Sequence, residues 1–126
     1  MVILDSNIWV AFFDEYDSTH QKAVNIFASM TEKVLITEYI ILEAVTIISQ
    51  KKNKGVANKF LEKISVSENI KVHSSSQEFL DEVVNFYLEK SNRSLSFVDY
   101  SLLFLSQKIQ IITFDKKLKK EIEKLN

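Results

Sequence analysis

Proline and cysteine are both absent from this 126-residue chain, and Gly55 is its only glycine. Without cysteine there is no disulfide framework, no thiol chemistry and no Cys-based zinc site. With a single glycine the chain cannot build a Gly-rich phosphate loop, which removes P-loop and dinucleotide-binding readings. Arginine is nearly missing too: Arg93 is the only one, and the other basic residues are lysines. No apolar run reaches the roughly 18 residues a spanning helix needs. The N-terminal "MVILDSN" shows no basic region followed by a long apolar run, so no signal peptide is expected and a cytoplasmic protein is the simplest reading.

What is present suits one domain over residues 1–126, with 46% apolar and 26% charged residues as in ordinary globular proteins. A chain of this size buries roughly two-thirds of its unfolded surface, enough for a core. The net charge of −1 neither supports nor excludes a nucleic-acid partner, because local patches decide that. The lysine-rich "KKLKKEIEKLN" places Leu118, Ile122 and Leu125 at helical spacing, so it reads as a helix with one packed edge and a solvated lysine face.

Four short apolar runs, "VIL" at 2–4, "VLI" at 34–36, "IKV" at 70–72 and "IQII" at 109–112, read as strands buried on both faces of a parallel sheet. Helical spacing fills 18–31, 38–52, 55–65, 75–90 and 97–108, with Asn53 and Gly55 expected as left-handed caps at the break between two of these helices. Strands alternating with helices predict an α/β domain joined by right-handed crossovers. In such sheets, ligands bind beyond the carboxyl ends of the strands. There lie "DSN" at Asp5–Asn7, Thr37, and "TFD" at Thr113–Asp115, while Asp99 opens the helix before the last strand.

A fourth acid stands inside "ITEYIILEAVTIIS", where Glu43 is surrounded by apolar residues. An unpaired buried carboxylate costs several kcal/mol, so it needs a reason. Each acid has a plain structural role open to it. Asp5 and Asp115 can cap the helices that follow them, and Ser96 with Asp99 in "SFVD" resembles a capping box. Glu43 has only a buried ion pair with a lysine, a design that seldom stabilises. Taken together, all four can face one edge of the sheet. Without a cation they would repel and their pKa values would rise. Mg²⁺ or Mn²⁺ prefers such oxygen ligands and assists phosphodiester hydrolysis.

The strand-end "LDSNIW", the helix acid in "TEYIILEAV" and the late "LSFVDYSLLFLSQKIQIITFDKKL" together resemble the PIN domain, and more narrowly the VapC-type toxins of toxin–antitoxin pairs. The resemblance spans nearly the whole chain. It implies a three-layer α/β/α domain with a central parallel sheet of four or five strands, and a metal-dependent ribonuclease. It implies that Asp5, Glu43, Asp99 and Asp115 are the catalytic and metal-binding acids, supported by Asn7, Ser96 and Thr113. It also implies an RNA substrate, a VapB-like antitoxin, a homodimer and no membrane. Where some members carry a further acid after the last motif this chain has Lys116 and Lys117, so one metal is expected to be held firmly and a second only with substrate. A non-catalytic PIN-like binding module and an aspartate-nucleophile phosphatase stay open as alternatives, though "DSN" lacks the D-x-D usual in the latter. His20 is expected at the surface, His73 in a structural role and Trp9 in the core or an interface. Arg93 is read as a loop charge, with a phosphate contact as the alternative.

Overall fold

The computed structural model describes residues 1–90 and 94–126. Its strands are β1 (Val2–Leu4), β2 (Val34–Thr37), β3 (Ile70–His73) and β4 (Gln110–Ile112). All pair in parallel, in the order β3-β2-β1-β4, which makes a four-stranded sheet. The helices are α1 (Ser6–Phe13), α2 (His20–Ser29), α3 (Glu38–Lys51), α4 (Lys54–Val66), α5 (Gln77–Glu89), α6 (Phe97–Leu105) and α7 (Lys116–Leu125). Among the described residues, no helix is long and apolar enough to cross a membrane.

The strand order decides the layers. From β1 to β2 to β3 the chain steps one way across the sheet, and from β3 to β4 it steps back past β1. Right-handed crossovers then put α1–α4 on one face and α5 and α6 on the other. The packing agrees: α1, α2, α3 and α4 touch one another, while α6 touches α5 and α7. The reversal falls between β1 and β4, and there the carboxyl ends of the strands open a crevice.

Only the two central strands meet the expectation of burial on both faces, since β1 and β2 are buried throughout. Strands β3 and β4 are edges and are partly exposed; Val72 is 40% exposed. Trp9 belongs to the core. Its indole N–H donates to the Leu4 carbonyl at 3.1 Å, and its ring meets Phe27 and Phe60 edge-on, tying α1 to β1, α2 and α4.

The left-handed caps expected at Asn53 and Gly55 do not form. No described residue has positive φ. Asn53 is instead the N-cap of α4, with an extended φ of −173° and Oδ1 accepting from Val56 N at 2.9 Å. Gly55 lies in that first turn, where a Cβ would stand 3.2 Å from the same Oδ1. The lone glycine leaves room for a cap rather than supplying a left-handed turn. Helix α6 stops at Leu105, short of the expected 108, because residues 106–108 turn the chain into β4.

Candidate active site

Asp5 follows β1 directly. Its N–H donates to the Ile112 carbonyl at 2.9 Å, continuing the β1–β4 ladder, and its side chain caps α1 by accepting from Ser6 N at 2.7 Å. The other carboxylate oxygen accepts from the Thr113 hydroxyl at 2.7 Å and from Asn7 Nδ2 at 3.3 Å. Asn7 also donates to Thr113 Oγ1 at 3.2 Å, and its Oδ1 accepts from Phe114 N at 3.2 Å. Thr113 Oγ1 further accepts from Asp115 N at 3.0 Å. Asn7 and Thr113 thus lock the ends of β1 and β4 together around one carboxylate.

Glu43 lies on α3, which Thr37 starts by accepting from Ile40 N at 3.2 Å. Helical spacing buries Ile40, Ala44 and Ile48 in the core. Glu43 falls one position off that stripe, half-buried at its margin, whereas Leu42 on the far side is 68% exposed. A carboxylate set among apolar residues in sequence therefore lies on the edge of the core in space. It accepts a hydrogen bond from the Ser6 hydroxyl, and no ion pair holds it among the described residues. Beside it runs an apolar groove of about 420 Å³, whose lining includes Tyr39, Leu42, Ile47, Phe97 and Val98.

Asp99 forms the capping box at the start of α6: Ser96 Oγ accepts from Asp99 N at 3.1 Å and Asp99 Oδ2 accepts from Ser96 N at 3.0 Å. The Ser96 hydroxyl thus serves this cap. Asp115 caps α7, accepting from Lys117 N at 2.9 Å and Leu118 N at 3.4 Å. The capping role and the shared-edge placement hold together, because the N-termini of α1, α6 and α7 all meet the same end of the sheet. A helix start is where a carboxylate is locally favoured, so the fold can gather acids there at little local cost.

The gathering has an electrostatic signature. Asp5 is only 3% exposed. Burial raises its carboxyl from an ordinary 3.8 to about 6, opposed by the hydrogen bonds from Thr113 and Ser6 N, while the charges of Asp99 and Glu43 push it further upward. Asp115 reaches the cluster through its backbone N–H, and its carboxylate turns toward α7. The expected meeting of four carboxylates is therefore looser than the sequence suggests. Among the described residues, no three acidic or histidine side chains already form a set that could hold a metal ion. The donor chemistry still fits a hard cation: the site offers carboxylate oxygens, and the charges of Asp99 and Glu43 reach Asp5 through space. Mg²⁺ needs only one or two carboxylates and keeps its remaining waters.

Sequence reasoning passed over Ser6, read only as the middle of "DSN", although a small hydroxyl beside a strand-end acid was the available signal. His20 is partly buried rather than on the surface, with Nδ1 2.7 Å from the Ala11 carbonyl oxygen. His73 packs edge-on against Phe79, with a buried Nδ1 that has no hydrogen-bond partner. Arg93 lies outside the described residues.

The chain belongs to the PIN domain family, whose model matches residues 2–122. Its fold is similar to that of VapC20 from Mycobacterium tuberculosis, a sarcin–ricin loop cleaving toxin, with a TM-score of 0.85 at 20% identity over 95% of this chain and 94% of that one. It is also similar to PAE2754 from Pyrobaculum aerophilum, with a TM-score of 0.58 at 21% identity over 98% and 85% of the two chains. No protein of curated function matches the sequence significantly.

Proposed function

We propose that this protein is a metal-dependent endoribonuclease, acting in the cytoplasm as the toxin of a VapBC-type pair. The observation that carries the reading is Asp5 at the sheet's switch point, where burial first, and then the charges of Asp99 and Glu43, lift its carboxyl to about 6. Membership of the PIN family and the likeness to a toxin that cleaves RNA support it. The apolar groove flanking Glu43, with Leu42 exposed beside it, supports a protein partner next to the acidic pocket, either a VapB-like antitoxin or a second copy of the chain.

Asp5, Asp99 and Asp115 would hold Mg²⁺ or Mn²⁺ directly or through water, with Glu43 completing the site. One firmly held cation is expected, because Lys116 and Lys117 follow the last acid. Such a cation, when bound, neutralises charge on phosphoryl oxygens and makes a nearby water more acidic. The protein's own groups do the positioning. Thr113 and Asn7 fix the Asp5 carboxylate, and the Ser6 hydroxyl fixes Glu43 so that it can orient the water attacking the phosphorus. His20 and His73 are engaged elsewhere, so a histidine-based, metal-free cleavage has no base in this pocket.

The test is incubation of end-labelled RNA with Mg²⁺ or Mn²⁺ and with EDTA. The reading predicts cutting that requires metal and leaves 5′ phosphate and 3′ hydroxyl ends. Cutting in EDTA, or ends bearing a 2′,3′-cyclic phosphate, would contradict it.

A further inference from the structure

Helix α7 breaks a local rule. Lys116, Lys117, Lys119 and Lys120 fill its first turn and a half, and no acid stands in that first turn. Positive charge at a helix N-terminus opposes the macrodipole, and natural helices favour acids there. All four lysines are exposed, and none forms an ion pair among the described residues; the one ion pair on this helix is Lys124 with Glu121. Across residues 116–126 five lysines face two glutamates, although the chain as a whole carries a net charge of −1. The fold places this surplus next to the acidic pocket. Asp115, which caps α7, is tied to Thr113 and through it to Asp5. Lys119 and Thr113 line one groove of about 460 Å³ along the free edge of β4.

One acid, the Asp115 cap, stands against these four lysines, and a local cost kept beside a candidate site points to function. We propose that the lysine face of α7 is a phosphate track, which takes the substrate RNA backbone as it leaves the scissile bond along the edge of β4. The inference rests on the RNA-cutting reading above and adds where the rest of the strand lies. Flexible lysines recognise phosphates as point charges, so the track reads no sequence. It offsets the repulsion that the acidic pocket exerts on an RNA backbone.

The test is fluorescence anisotropy with a labelled single-stranded RNA over a KCl series, in EDTA, using wild type and the quadruple variant Lys116→Gln, Lys117→Gln, Lys119→Gln, Lys120→Gln. Circular dichroism confirms the fold; losing charges that oppose the helix dipole should not lower Tm. Each phosphate left without its lysine reduces the magnitude of the log K against log[salt] slope by roughly 0.7, so the quadruple variant should lose about 2–3. A control variant with glutamine at Lys51, Lys54, Lys59 and Lys71 has the same net charge and should keep the wild-type slope. An unchanged slope in the α7 variant, an equal loss in the control, or no RNA binding by wild type would overturn the track. So would capture of polyglutamate but not RNA through the α7 lysines, which would mark a protein-docking face. If the slope falls as expected but RNA is never cut with metal, the track stands and the nuclease reading fails.

Discussion

Replacing Asp5 with Asn should stabilise the metal-free protein. The folded carboxyl titrates near pH 6, against 3.8 when solvated. As pH rises through 3.8 the unfolded chain gives up its proton first, so stability falls until the folded form titrates and the full penalty is in place above about pH 6. That difference is worth ~3 kcal/mol at pH 8. The substitution removes the charge but loses hydrogen bonding. The amide oxygen can still accept from Ser6 N, yet the amide nitrogen cannot accept from the Thr113 hydroxyl and meets Asn7 Nδ2, a second donor. Those losses cost ~1–2 kcal/mol. A net gain of ~1–2 kcal/mol remains, which for a chain of this length is roughly 4–8 °C in Tm. The assay is thermal unfolding in EDTA at pH 8 and pH 5. The variant should melt higher at pH 8, and the advantage should shrink toward zero at pH 5, where the wild-type carboxyl is mostly protonated. A lower Tm for the variant at pH 8, or a difference indifferent to pH, would refute the reasoning.

Further outcomes follow from the same geometry. Adding Mg²⁺ or Mn²⁺ should raise the Tm of wild type in step with RT ln(1 + [L]/Kd) and do far less for Asp5→Asn, as read by thermal shift with and without EDTA. Ser6→Ala removes the hydroxyl that holds Glu43; it should weaken metal binding by titration while costing no more than about 1.5 kcal/mol of stability. Ser96→Ala deletes half of the capping box and should lower stability by about 0.5–2 kcal/mol in urea unfolding. Trp9→Ala empties the point where α1, α2 and α4 meet and should cost ~3–5 kcal/mol, enough to leave the domain marginal by the same assay.

The sequence showed the sheet because its strands are short β-branched runs between helical segments, and that alternation leaves few parallel topologies. It did not show which strands are edges: "IKV" reads as buried, yet Lys71 is exposed on β3. The acids were visible as strand-end and helix-start residues. Their partners were less so, because Thr113 Oγ1 and Asn7 reach Asp5 across more than a hundred residues or within a single turn, and neither pairing has a periodicity. Ser6 was hidden for the same reason: its link to Glu43 depends on how α1 lies against α3. The Asn53–Gly55 break misled because cap chemistry at the start of one helix and at the end of another uses the same residue types, and only φ separates them. Asp99 shows that a capping box and a candidate metal ligand can be one residue, so neither reading excludes the other.

That double role gives the most direct test of the account. Asp99→Asn keeps an acceptor for Ser96 N and removes a charge that acts on Asp5. Tm and Mn²⁺-dependent cutting of end-labelled RNA should be measured on the same preparation. The account predicts a variant that stays folded, with Tm at or slightly above wild type, and no longer cuts. A folded variant that cuts RNA as well as wild type would contradict it, leaving Asp99 a helix cap and nothing more.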